Sequence, residues 1–268
     1  LGLRAALEAA FAFPRLEPTR VSRSADGTRK LLFELGGGDA IEAVLIPDPP
    51  RLTLCISSQA GCAMDCAFCA TARLGLGRNL SATEIAGQVL AATRELGDGE
   101  RITNLVFMGM GEPLHNYDNV VAAIGIIAAE SGLGIAPRRI TVSTVGLVPR
   151  MKRLVEETDV MLAVSLTATS DELRDRLMPV NRRYPLAELM QLCRELPIPQ
   201  RRRITFEYVM LDGINDTPDD ARRLIALLRG IRAKVNLIPF NPFPGSPFRP
   251  SSDGAIERFR LQLLAAHL

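Results

Sequence analysis

The chain predicts an α/β fold built on a parallel sheet. From Arg51 onward, six short apolar runs of β type alternate with longer helical patterns, and strand–helix alternation calls for right-handed crossovers between parallel strands. The strand candidates are residues 52–57, 104–108, 139–143, 160–165, 204–210 and 234–239. Six such units leave an open doubly wound sheet or a barrel, and a barrel of six is a partial (β/α)6 structure, short of the closed eightfold ring. Residues 1–50 differ in texture, so a small N-terminal extension is expected ahead of a core spanning 51–268.

The extension opens with a short helical stretch. Turn signals at Asp26-Gly27 and Gly36-Gly37-Gly38 then mark a β-hairpin or meander. After the first core strand, Ser81 with Glu84 three residues on forms a capping box. Ile85, Val89, Ala92 and Leu96 follow at helical spacing. A second clear helix starts at Thr217-Pro218 and carries Leu224, Leu227 and Leu228. Cys193 falls in a helical run, LAELMQLCREL, and reads as core.

With 268 residues and 47% hydrophobic content, the chain suffices for one large domain, or one with an appendage. Its 32 basic and 30 acidic residues give a net charge of +2, which argues neither for nor against a polyanionic partner. No apolar run approaches the roughly 20 residues that span a bilayer, and the N-terminus lacks a secretory pattern. The expectation is a cytoplasmic protein without a membrane partner. The sequence starts without Met, as an internal fragment would.

Cys55, Cys62, Cys66 and Cys69 lie within fifteen residues, the last three as C-x3-C-x2-C. Such thiols form disulfides, bind a soft metal or do redox chemistry. A reducing compartment weakens the disulfide reading. An all-cysteine zinc site usually pairs two knuckles across a longer loop, whereas here three cysteines crowd one loop and Cys55 lies in an expected strand. Three thiolates on one loop suit an iron–sulfur cluster with one iron free of protein ligands. Gly109-Met110-Gly111-Glu112-Pro113 follows the second strand, and glycines there allow close approach of backbone to a ligand. Ser143, Ser165 and Asn241 also fall at C-terminal strand ends, the face that holds the active site in barrels. Basic clusters occur at Arg73/Arg78, Arg138-Arg139, Arg182-Arg183 and Arg201–Arg203. Arg78-Asn79 stands out among them as a candidate RNA contact.

The cysteine motif after a first strand resembles the radical S-adenosylmethionine (SAM) enzymes. The segments CISSQAGCAMDCAFCATARLGLGRNLSATEIAGQV, NLVFMGMGEPLHNYDNV, ITVSTVGLVP, LAVSLTATSDELRDRLMPVNRRYPL, TFEYVMLDGINDTPDDA and VNLIPFNPFPGSPFRPSS are similar to the RlmN/Cfr group of RNA adenosine methyltransferases. The resemblance implies a partial (β/α)6 TIM-type barrel. It implies Cys62, Cys66 and Cys69 as ligands of a [4Fe-4S] cluster. Gly111, Glu112, Ser143, Ser165, Leu166, Thr167 and Asn241 would line the SAM pocket. Thr167 departs from the His, or in some members Asn, usual there. Glu42 takes the position of the family's general base, and Cys55 that of the cysteine that resolves a protein–RNA adduct.

The implied reaction is methylation of an adenine carbon, C2 ahead of C8, in 23S rRNA and tRNA. A methylcysteine carries the methyl group, and a deoxyadenosyl radical generated at the cluster activates it. A flavodoxin or ferredoxin would supply electrons to a monomeric enzyme. No residue matches the family's methyl-accepting cysteine or most of its N-terminal accessory domain, which reads as a truncated version. Rival readings are another radical SAM reaction, a plain SAM-binding scaffold, or a non-catalytic zinc-stabilised RNA-binding module.

Overall fold

The structure, a computed structural model, describes residues 2–10 and 15–268. Leu1 and residues 11–14 of the expected N-terminal helical stretch lie outside them. Helix α1 (Gly2–Ala10) precedes an antiparallel meander of β1 (Arg20–Arg23), β2 (Arg29–Glu34) and β3 (Ala40–Asp48). Strand β3 pairs antiparallel with β4 (Arg51–Cys55), with Val44 opposite Cys55. The extension therefore shares one sheet with the core. Leu31, Phe33, Ile41, Ala43 and Leu45 join the same apolar core as the barrel helices.

From β4 the sheet runs parallel through β7 (Asn104–Phe107), β8 (Ile140–Thr144), β9 (Met161–Ser165), β10 (Ile204–Met210) and β11 (Ala233–Pro239). These are the six expected strands, with ends shifted by a residue or two. Spatial order follows chain order throughout. A doubly wound sheet would reverse its order at a switch point, so the arrangement is the barrel type. Because β4 borders β3 rather than β11, the ring stays open.

The helices between the strands are α2 (Ala82–Arg94), α3 (Tyr117–Ala128), α4 (Val148–Glu157), α5 (Asp171–Leu177) with α6 (Leu186–Glu195), and α7 (Pro218–Leu227); α8 (Asp253–Ala265) follows β11. The Ser81–Glu84 capping box is present, and Thr217 with Asp220 forms a second. Side chains alternate across a strand. One face of the sheet buries Leu54, Leu105, Phe107, Val142, Leu162, Val164 and Phe206 in the main core. The register puts Glu42, Val44, Cys55, Val106, Thr141, Ser143, Ser165, Glu207 and Asn236 on the other face. That inward face is largely polar, as a barrel that receives a ligand rather than filling its own lumen requires.

Past Cys55 the chain leaves the ladder, and a buried side chain takes the ladder's place. Gln88 of α2 accepts from the Ser57 amide (2.9 Å) and donates to the Ser57 carbonyl (2.8 Å). Both residues are fully buried. Gln88→Leu would leave two buried backbone groups unpaired, at about 1–3 kcal/mol each. The expected result in urea unfolding is a loss of about 2–6 kcal/mol without a change in m-value.

Candidate active site at the strand ends

The cysteine loop is closed at its neck by a hairpin of β5 (Gln59–Gly61) and β6 (Leu76–Asn79). The Cys62 amide donates to the Gly75 carbonyl at 2.7 Å. Gly61 has φ +78°, and a Cβ there would sit 1.9 Å from the Gly75 oxygen, so only glycine closes the neck. The far side of the loop is anchored by Ala67, whose amide donates to Leu177 at 2.9 Å. Met64, Cys66, Phe68 and Cys69 pack with Ala168, Leu177, Met178 and Phe240 in a second apolar cluster.

Cys62, Cys66 and Cys69 line one cavity of 130 Å³ together with Gly111, Glu112 and Ser165. All three cysteines are free thiols. Burial pushes the Cys62 thiol up to about 11, with Glu112 and Cys69 adding repulsion. Burial raises Cys66 further, and Cys69 and Cys62 add to it. The three thiols thus face a shared space, and binding a metal there would release the protons that burial keeps on Cys62 and Cys66. Among the described residues, no three His, Cys, Asp or Glu side chains converge closely enough to hold a single metal ion. Thiols set around a cavity rather than around a point fit a polynuclear iron–sulfur cluster, in which each thiolate takes a different iron.

The second wall of the cavity is the turn after β7. Segment 56–59 laces to it. Gly109 donates to the Ile56 carbonyl (3.1 Å), Ser58 to Met110 (2.8 Å), and Met110 to the Ser57 hydroxyl (2.9 Å). Fully buried Gln59 completes the seam. Its Oε1 accepts from the Glu112 amide (2.8 Å), and its Nε2 donates to Asn79 Oδ1 (2.7 Å) and lies 3.0 Å from His115 Nδ1. Gly111, at φ +96°, packs on Gln59 so closely that an added Cβ would lie 2.5 Å from the Gln59 Cβ.

The Glu112 carboxylate accepts from the amides of Leu114 (3.0 Å) and Val145 (2.9 Å), which joins the β7 turn to the end of β8. Burial nonetheless raises its pKa to about 7, against the lowering effect of these bonds. Each carboxylate oxygen keeps a lone pair, so an ammonium group entering the cavity finds an acceptor in place.

The other expected residues are distributed differently. Ser143 lies on the inward face of β8, two strands from Cys55. The Leu166 side chain is packed in the main core, and its backbone is engaged too, the amide donating to the Glu207 carbonyl and the carbonyl accepting from Ala168 and Arg174. Thr167 is fully buried in a left-handed conformation (φ 55°), and its hydroxyl has no hydrogen-bond partner. A β-branched residue there is strained by about 1–2 kcal/mol. Asn215 braces it by donating to the Thr167 carbonyl at 2.7 Å. Asn241 is exposed, just beyond β11.

Cys55 is half-buried on the inward face, and burial pushes its thiol up to about 11. Glu42 lies on the same face. Because Val44 stands opposite Cys55, Glu42 is the diagonal neighbour, at ~7–8 Å between backbones. Its carboxylate meets Lys30 Nζ at 2.8 Å in a half-exposed pair. Cys193 is buried on α6 in the core behind the sheet.

Sequence reasoning missed Gln59, Ser57 and Glu207. The last is a buried inward carboxylate whose pKa burial raises, held by Asn236 Nδ2 at 2.7 Å. The basic clusters also separate. Arg138-Arg139 and Arg201–Arg203 precede β8 and β10, at the end of the barrel opposite the site. Arg78 is paired with Glu84 (2.7 Å) and Asp39 (3.5 Å) and remains part-exposed. Arg183, with Arg150 and Tyr184, lines a 650 Å³ cleft on the outer side of Met64 and Asp65.

A profile of the radical SAM superfamily matches residues 56–226. The chain is 56% identical over 265 residues to the dual-specificity RNA methyltransferase RlmN of Syntrophobacter fumaroxidans, covering 99% of this chain and 78% of that one. It is 54% identical over 265 residues to RlmN of Geobacter sulfurreducens, covering 99% and 72%. The crystal structure of a radical SAM methyltransferase from Sphaerobacter thermophilus superposes with a TM-score of 0.94 at 47% identity, covering 99% of this chain and 79% of that one. Among the described residues, no helix is long and apolar enough to cross a membrane.

If Gln59 positions the turn that carries Glu112, Gln59→Leu will weaken SAM binding on the order of tenfold. It will leave the iron content of the reconstituted protein unchanged. Equilibrium dialysis with labelled SAM, run beside iron analysis, checks this.

Proposed function

The chain belongs to the RlmN family of radical SAM RNA methyltransferases, and on that footing we propose that it methylates C2 of adenine in 23S rRNA and tRNA. The observation that carries this reading is the convergence of Cys62, Cys66 and Cys69 on one cavity with Glu112 and Ser165. The face of the sheet that bears Glu42 and Cys55 continues from it.

Cys62, Cys66 and Cys69 would hold a [4Fe-4S] cluster through their three thiolates, with SAM bound beside it in the same cavity. When bound, that cluster supplies one-electron reductive cleavage of SAM. Radical chemistry is what an adenine C2 demands, because that carbon is too poor a nucleophile for polar methyl transfer. Glu112 accepts from the SAM ammonium, and the narrow turn at Gly111 lets the backbone approach the ligand. Ser165 and Ser143 offer hydroxyls along the inward face, with Leu166, Thr167 and Asn241 at the strand ends beyond them.

Glu42 serves as the base that removes the adenine proton. Its half-exposed position suits a group that must exchange that proton with solvent, and Lys30 must release it first. The Cys55 thiolate would attack the sulfur of the methyl-carrying cysteine, forming an S–S bond as the S–CH2 bond to the adenine adduct breaks, and the released carbon would take a proton to become the methyl group. None of the 268 residues matches the methyl-accepting cysteine that the family reading requires, and buried Cys193 does not face the site. RNA approaches over the site end of the barrel, where Arg150 and Arg183 border the wide cleft. A flavodoxin or ferredoxin supplies electrons to a cytoplasmic, monomeric enzyme.

Anaerobic reconstitution should yield a brown protein with about four irons per chain. Nuclease digestion of treated 23S rRNA and tRNA, followed by mass spectrometry, should give 2-methyladenosine. Cys66→Ala should abolish both cluster and product. A colourless, zinc-loaded protein would contradict the reading, and 8-methyladenosine would correct the target carbon.

A further inference from the structure

Arg174 of α5 is an arginine with none of its side chain exposed. Its Nη2 donates to the carbonyls of Val145 (2.7 Å) and Ser165 (3.2 Å), its Nε to Leu166 (3.3 Å) and its Nη1 to Asn181 Oδ1 (3.0 Å). All four acceptors are neutral. Among the described residues no carboxylate forms an ion pair with it. Two acidic groups stand one residue removed, since Asn181 Nδ2 donates to Asp171 (2.9 Å) and Asp175 (2.7 Å). Burial pushes the guanidinium down to about 10, so it carries its charge at neutral pH.

A buried charge is costly unless an opposite charge compensates it. The location of this one is informative. Val145 and Ser165, whose carbonyls it holds, line the cavity of the three cysteines. The amide of Ala67, next to Cys66, docks on Leu177 of the same helix α5. Arg174 and Cys66 each act electrostatically on the other. Tying strand ends together requires hydrogen bonds, which a neutral amide could also make. It does not require a full positive charge.

We propose that Arg174 is the fixed counter-charge of the iron–sulfur site: a positioning residue that holds the ends of β8 and β9 and, through its charge, raises the reduction potential of the cluster. This rests on the cysteines binding such a cluster. A [4Fe-4S] core in its resting 2+ state with three thiolates has net charge 1−. Acceptance of one electron from a low-potential donor takes it to 2−. A nearby cation stabilises the second state more than the first. Through an effective dielectric of about 20, a unit charge about 12 Å from the added electron shifts that equilibrium about tenfold, which for one electron is about 59 mV.

The test is a dithionite redox titration of reconstituted protein, followed by electron paramagnetic resonance. Arg174→Lys should keep the wild-type midpoint, and Arg174→Gln should make it more negative by about 59 mV. Asp175→Asn keeps an acceptor for Asn181, so it should fold whatever Arg174→Gln does. Its expected shift is in the opposite direction and smaller. Loaded clusters with unchanged midpoints in Arg174→Gln, or in Asp175→Asn where the glutamine variant does not fold, would overturn the inference and leave the functional reading standing. A wild-type chain that binds no cluster would overturn both.

Discussion

The site depends on the seam between segment 56–59 and the turn at 109–112. One strand delivers the cysteine loop and the next delivers Glu112, and neither forms a site alone. The seam is made of ordinary hydrogen bonds, among them Ser58 to Met110 and Glu112 to Gln59 Oε1. Each is worth about 1 kcal/mol net. Their effect is geometric, because they fix two strand ends at a spacing that the parallel ladder has already stopped enforcing. Gly109 and Gly111 allow the two backbones to meet; a Cβ on Gly109 would lie 2.7 Å from the Ile56 oxygen.

The rest of the architecture serves that junction from both sides. The core under the helices fixes the strands in register, and strict alternation delivers polar groups to the opposite face. Glu42, Cys55, Ser143, Ser165 and Glu207 arrive there from separate strands because each occupies a position of the same parity. The antiparallel meander extends this face to Glu42, whose backbone carbonyl also accepts from the Ser57 hydroxyl at 2.6 Å. Ser57 thereby couples the strand of the proposed base to the turn of Glu112.

Much of this was legible in the sequence because its signals are local. Six β-type runs, the Ser81 and Thr217 caps, and the C-x3-C-x2-C spacing each occupy a short window. Positions at strand ends followed from the alternation alone. What stayed hidden involves partners far apart in the chain. Gln88 pairs with Ser57 across 31 residues and Gln59 with Glu112 across 53, and no periodic pattern marks a glutamine for such work. Glu84 was readable as a helix cap, yet its second role, holding Arg78, was not. Nothing in DELRDRL sets Arg174 apart from its charged neighbours, and only the fold reveals it as fully buried. The hairpin of β5 and β6 escaped because strands of three and four residues carry too little alternation to register.

The most direct test of the central claim is electron paramagnetic resonance of the reduced, reconstituted chain before and after addition of SAM. A cluster held by Cys62, Cys66 and Cys69 alone has an open iron, so SAM is expected to bind it and shift the g-values. A spectrum indifferent to SAM would mean either a fully protein-ligated cluster or a site that does not bring SAM to iron, and either result would contradict the account.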